Sequence, residues 1–151
     1  MTSRDVDIEG KGGQMPPSWI TFDDPHFAAG TPLVGQYPSG VVDWGHGEWH
    51  IGAPLGKFGT FTLALSNPRA MQAEFSFYAP RIFVGIDAYN DGDADTTVTV
   101  RSPETGEVSW TLKPKELRRL RTGWSEASSR VNFAFANGAG LRFDNLAYVH
   151  P

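Results

Sequence analysis

From Phe58 to the C-terminus, apolar and polar positions alternate with a period of two, broken at short intervals by turn residues. Phe61, Leu63 and Leu65 alternate with Thr60, Thr62 and Ala64, and the first set is apolar enough to face a core. After Asn67-Pro68, the positions Met71, Ala73, Phe75 and Phe77 alternate with Gln72, Glu74, Ser76 and Tyr78, the pattern of a half-buried strand. Ala79-Pro80-Arg81 is expected to end it, with Ile82 to Ala88 following as a separate strand. Further strands are predicted over Thr96–Arg101, Glu107–Leu112, Leu117–Thr122, Val131–Ala136 and Leu141–Val149, with a hairpin loop at 102–106 and a turn at 137–140. Upstream, Trp19-Ile20-Thr21-Phe22 is a short apolar strand halted by Asp23-Asp24-Pro25, and Leu33 to Tyr37 is an edge piece. No stretch carries convincing helical periodicity. About nine or ten short strands at this spacing predict an all-β fold, a two-sheet antiparallel β-sandwich of jelly-roll type.

One stretch fits neither a plain strand nor a helix. Tyr37 to Thr60 holds two tryptophans, a tyrosine, two histidines, two carboxylates and six glycines in 24 residues. Its glycines let the chain wind, and a winding loop with rings and convergent polar groups on a rigid scaffold suits binding. Trp44, Trp49 and Tyr37 are the expected platforms; His46, Asp43, Glu48 and Gln36 are the polar candidates around them. The other reading is that both indoles plug one end of the core, since tryptophan is highly buried on average. Tyr89 and Trp124 are reserves on other loops.

Composition narrows the class. The chain has 151 residues, enough for one domain that buries roughly 70% of its unfolded surface. It has no cysteine, which removes disulfides and thiolate metal sites. Its net charge of −4 argues against a nucleic-acid partner. Residues 1–18 are polar and glycine-rich, ending near Pro16-Pro17, and are read as a flexible leader or linker before a domain over 19–151. No apolar run is long enough for a membrane span, and the N-terminus has no signal-peptide core.

Three motifs together resemble bacterial β-sandwich carbohydrate-binding modules. They are the opening Ile20-Thr21-Phe22-Asp23-Asp24, the Gly- and Trp-rich stretch from Gly35 to Gly59, and the closing Leu141-Arg142-Phe143-Asp144-Asn145-Leu146. The resemblance implies that the first and last strands lie side by side. It also implies a structural calcium held by acids there, which carries over to Asp23, Asp24 and Asp144. Calcium takes six to eight oxygen ligands, so carboxylates and turn carbonyls suit it; alternatively, Asp23 caps a turn and Asp144 accepts backbone donors. The function implied is non-catalytic binding of a polysaccharide or oligosaccharide, in a secreted or cell-surface protein, as a domain excised from a larger bacterial chain. The alternative from another class is a structural domain that packs on a catalytic or adhesin neighbour without binding sugar.

Other constellations are weaker. Asp91, Asp93 and Asp95 alternate like the start of a calcium loop, but Ser102 stands at the twelfth position instead of Glu, so a solvated turn is the better reading. His46 and His50 have zinc-like spacing, yet the glycines around them exclude a helix. Asp43 and Glu48 are a conceivable glycosidase pair on a poor scaffold, and no hydrolase, P-loop or dinucleotide motif is present. The expectation is therefore no enzyme activity. Lys113, Lys115, Arg118, Arg119 and Arg121 form a basic run, read as a guarded strand edge that could also bias a binding face towards uronic-acid polymers.

Overall fold

The computed structural model describes residues 16–56, 58–136 and 140–151, and its regular structure is all strand. The leader reading for residues 1–15 and the turn at 137–139 lie outside the described residues. Eleven strands follow in order: β1 Ser18–Ile20, β2 Pro32–Leu33, β3 Val42–Asp43, β4 Trp49–Gly52, β5 Thr62–Leu65, β6 Gln72–Asn90, β7 Thr96–Ser102, β8 Gly106–Leu112, β9 Leu117–Arg121, β10 Ser128–Ala136 and β11 Leu141–Val149. Every pairing is antiparallel. Sheet I runs β2-β4-β5-β11-β6-β9, with β1 sharing the edge of β11 that β5 uses. Sheet II runs β3-β6-β10-β7-β8. The two sheets form a β-sandwich of jelly-roll type.

The first and last strands pair as expected, Ser18 with Tyr148, Trp19 with Ala147 and Ile20 with Leu146. The 71–78 and 82–88 segments, expected as two strands, are one. β6 is 19 residues long; its first half belongs to sheet II and its second half to sheet I. Pro80 does not end it, because it sits at the crossing between sheets. There β10 touches β6 at the Ser128–Arg81 pair beyond a bulge, so the ladder requires no N–H from residue 80.

The core is aromatic. Phe75 lies 5.2 Å from Trp44, 5.4 Å from Phe77 and 5.6 Å from Phe83, and Phe133 packs 5.6 Å from Phe143. These rings are the inward halves of the alternating strands, and burying each contributes about 1.5–3 kcal/mol. On the far half of β6, Gly85 lies so close to β9 that a Cβ there would run into the Leu120 carbonyl and come within 3.3 Å of the Arg121 Cα. Gly85→Ala is expected to destabilise the domain by about 1–3 kcal/mol. A thermal melt superimposable on wild type would show that β9 yields freely.

Candidate functional site

Trp44 and Trp49 are not platforms. Both are 0% exposed and both indole N–H groups are used inside the fold. Trp44 donates to the Tyr37 carbonyl at 2.6 Å and Trp49 to the Glu74 carbonyl at 2.9 Å. The two rings meet edge to face at 5.6 Å, and Trp49 continues onto Phe133 and Phe143. The physical reason is strand alternation. Val42 and Trp44 share one side of their segment, as do Trp49 and Ile51, and all four are buried, while Asp43 and His50 point away. That period-two signal was present within the glycine-rich stretch.

Tyr37 is also claimed by the interior. It is half-buried, packs 4.8 Å from Phe27 and 6.0 Å from Phe22, and its hydroxyl donates to the Thr21 carbonyl. Burial pushes its pKa up, with Asp24, Asp23 and Asp144 adding to the rise. Gln36 and Asp43 are exposed, but their side chains brace the loop: Gly40 N–H donates to Gln36 Oε1 at 2.7 Å and Gly45 N–H to Asp43 Oδ1 at 2.9 Å. Tyr89 is buried against Phe58, and half-buried Trp124 packs 6.2 Å from Phe83.

His46 and Glu48 do reach a surface site. With Gly45, Gly47, Asn67, Ala70, Gln72 and Glu74 they line an open trough of about 630 Å³ at the edge of sheet II. Glu48 is anchored there, accepting the Glu74 N–H at 3.1 Å. Beyond Glu74 the trough continues into a second hollow of about 460 Å³, lined in part by Arg101, Glu107, Arg130 and Asn132. Strand register explains this continuity. Glu74, Asn132, Arg101 and Glu107 form one row across β6, β10, β7 and β8 on the outer face of sheet II. The next row is Gln72, Ala134, Thr99 and Ser109, where the Thr99 and Ser109 hydroxyls lie 2.7 Å apart. The lining of the second hollow is thus charged and amide-bearing, with Arg101–Glu107 at 3.6 Å and Arg130–Glu74 at 3.8 Å as loose exposed ion pairs, and the hydroxyls lie in the neighbouring row. Tyr78 belongs to the same outward set on β6 and is 67% exposed. The sequence reading missed it because it treated the alternation Gln72, Glu74, Ser76, Tyr78 only as the polar half of a strand.

Asp43 and Glu48 are each committed to a backbone N–H, and His50 lies on β4, away from the trough that His46 lines. Burial lowers the His50 pKa, and the nearby Arg142 charge lowers it further.

The terminal acids divide. Asp24 accepts the His26 N–H at 2.8 Å and contacts the His26 ring at 2.9 Å, which lowers its pKa; it caps its own turn. Asp23 accepts the Phe61 N–H at 2.9 Å. Asp144 is buried, accepts the Asn145 N–H at 2.8 Å and faces Thr60 Oγ1 at 3.3 Å. Its pKa rises to about 6, chiefly through burial, with Asp23 and Asp87 adding to the rise. Among the described residues no group of three or more acids or histidines gathers closely enough to hold a metal ion. The 91–95 turn is organised by Asn90, whose side chain donates to the Ala94 and Leu112 carbonyls and accepts the Gly92 N–H.

Searches of family models and of curated proteins match nothing. Among solved structures, the chain is similar to a tyrosine-to-alanine mutant of a family 29 carbohydrate-binding module. The identity is 15%, the TM-score 0.47, and the alignment covers 88% of this chain and 92% of that one.

Proposed function

We propose that the domain is a non-catalytic carbohydrate-binding module that takes a glycan across the outer face of sheet II. The observation that carries this reading is the open trough from His46 and Glu48 through Glu74 towards Arg101 and Glu107, with exposed Tyr78 on the same strand face. Sugars present flat C–H faces and rings of hydroxyls. An exposed phenol on the same strand face as amides and carboxylates answers both. Such a module serves a secreted or cell-surface protein, joined to other domains that act on the same polymer.

A calcium ion belongs to the proposal. Among the described residues the buried Asp144 carboxylate has no cationic partner, and the oxygens near it, Thr60 Oγ1 and the Asp23 carboxylate, are of the kind a hard cation takes. Asp23 and Asp144 would hold it; Asp24, turned to His26, would not. When bound, calcium would supply the positive charge this buried site lacks.

A glycan array tests the site. Tyr78→Ala is expected to weaken binding about tenfold, since an aromatic contact contributes about 0.5–1.5 kcal/mol beyond its area. Asn132→Ala, in the middle of the trough, should weaken it as well. Unchanged binding in both folded variants would place the glycan elsewhere. The burial of Trp44 and Trp49 is what favours the second reading, an accessory domain that packs on a neighbour; silence across the whole array would support it.

A further inference from the structure

The opposite face of the sandwich carries a different surface. Trp19 is 51% exposed on β1, on the outer side of sheet I. Strand register draws a row from it across four strands: Trp19, Ala147 on β11, Gly85 on β6 and Arg121 on β9. Neighbouring strands are about 4.8 Å apart, so the row spans about 14 Å. Its two middle positions, Ala147 and Gly85, are buried, so the exposed groups of the row are the indole at one end and the Arg121 guanidinium at the other.

Arg119 holds the indole in place. Its guanidinium carbon lies 4.6 Å from the Trp19 ring centroid, and Asp87 grips the same guanidinium at 2.8 Å. That ion pair balances the Arg119 charge. Arg121 is different: it is exposed, and among the described residues no carboxylate pairs with it. Exposed Lys113, and exposed Arg118 whose guanidinium donates to the Thr111 carbonyl at 3.3 Å, add positive charge along β9 and its approach. On sheet II, by contrast, the arginines of the trough each face a glutamate.

We infer that this row is a second ligand site, and that it takes the carboxylate-bearing sugars of a polyuronate. The exposed indole receives the C–H face of one sugar ring, and the unpaired guanidinium of Arg121 receives a carboxylate, the group its planar fork matches best. The basic edge of β9 draws in the rest of the anionic chain, an attraction that salt screens. The inference rests on the carbohydrate-binding reading for the class of polymer but uses none of the residues of the sheet II trough.

The test is a titration of the whole domain with polygalacturonate and with alginate, each beside its carboxyl-reduced neutral form. Binding is followed by calorimetry and by tryptophan fluorescence. Binding to at least one polyuronate is expected, weakening with added salt and at least about tenfold weaker for the reduced polymer. Trp19→Ala and Arg121→Gln, both at exposed positions, should each weaken it by a similar factor, while Tyr78→Ala leaves it unchanged. Failure to bind either polyuronate, equal binding of the reduced polymers, or wild-type affinity in either variant would overturn the inference. Because Tyr78→Ala separates the two faces, neutral-glycan binding that fails alone removes only the sheet II site. Polyuronate binding that fails alone removes only this one.

Discussion

Trp44→Ala and Trp49→Ala are expected to leave no native domain at all. Each removes a side chain of 0% exposure from the centre of the aromatic core, a change that costs about 3–5 kcal/mol. Each also leaves a half-buried carbonyl, that of Tyr37 or of Glu74, without its indole donor, at about 1 kcal/mol more. Against a total stability of about 5–15 kcal/mol, the two losses together are enough to unfold a domain in the lower part of that range. The measurement is a near-ultraviolet spectrum and a thermal melt. Trp→Phe at the same positions should stay folded, keeping most of the ring packing and losing the N–H bond. A Trp44→Ala or Trp49→Ala protein that melts like wild type and has lost only sugar binding would restore the indoles as platforms.

In the presence of a chelator, stability is expected to fall as pH rises from about 4 towards 6, and Asp144 is the cause. Its folded pKa, about 6, stands above the ordinary 3.8 because the carboxylate is buried beside Asp23 and Asp87. The folded state therefore holds its proton longer than the unfolded state does. Its contribution is full below the unfolded value and is lost as pH rises through the folded one. The difference amounts to about 3 kcal/mol. Asp144→Asn should flatten this dependence and raise the melting temperature of the chelated protein at neutral pH. Added calcium should reverse the order, stabilising the wild type by about 2.7 kcal/mol at 100 times its dissociation constant and leaving Asp144→Asn unmoved. Equal melting curves with chelator and with calcium would remove the ion from the proposal. A pH-independent chelated wild type would show that Asp144 is solvated.

The sheets were legible in the sequence because their signal is local. Val98 and Val100 alternating with Thr97 and Thr99 report their own faces, and observed strands over 96–102, 106–112, 117–121 and 141–149 match the expected ones to within a residue or two. The side-by-side pairing of β1 and β11 came from the resemblance. What failed was anything set by neighbours distant in sequence. Pro80 looked like a stop because its tolerance depends on β10 shifting register some fifty residues later. Trp44 and Trp49 looked like binding rings because glycine content outweighed the two-residue period of Val42, Trp44, Trp49 and Ile51. The trough itself, and the row from Trp19 to Arg121, exist only as cross-strand register. No stretch of sequence displays a line that visits β1, β11, β6 and β9 at one residue each.

The sharing of β6 between the sheets has a mechanical consequence. On the proposed function, a bound polysaccharide transmits drag to the domain, and that load acts across the seam between the two layers of the sandwich. Here the seam is crossed by an unbroken backbone whose first half is flanked by β10 and β3 and whose second half is flanked by β11 and β9. Pulling the layers apart must first strip ladder hydrogen bonds from both flanks of that one strand. Load applied at Glu74 on one layer is carried along covalent bonds to Gly85 on the other, so the domain yields as a single unit instead of shedding a sheet.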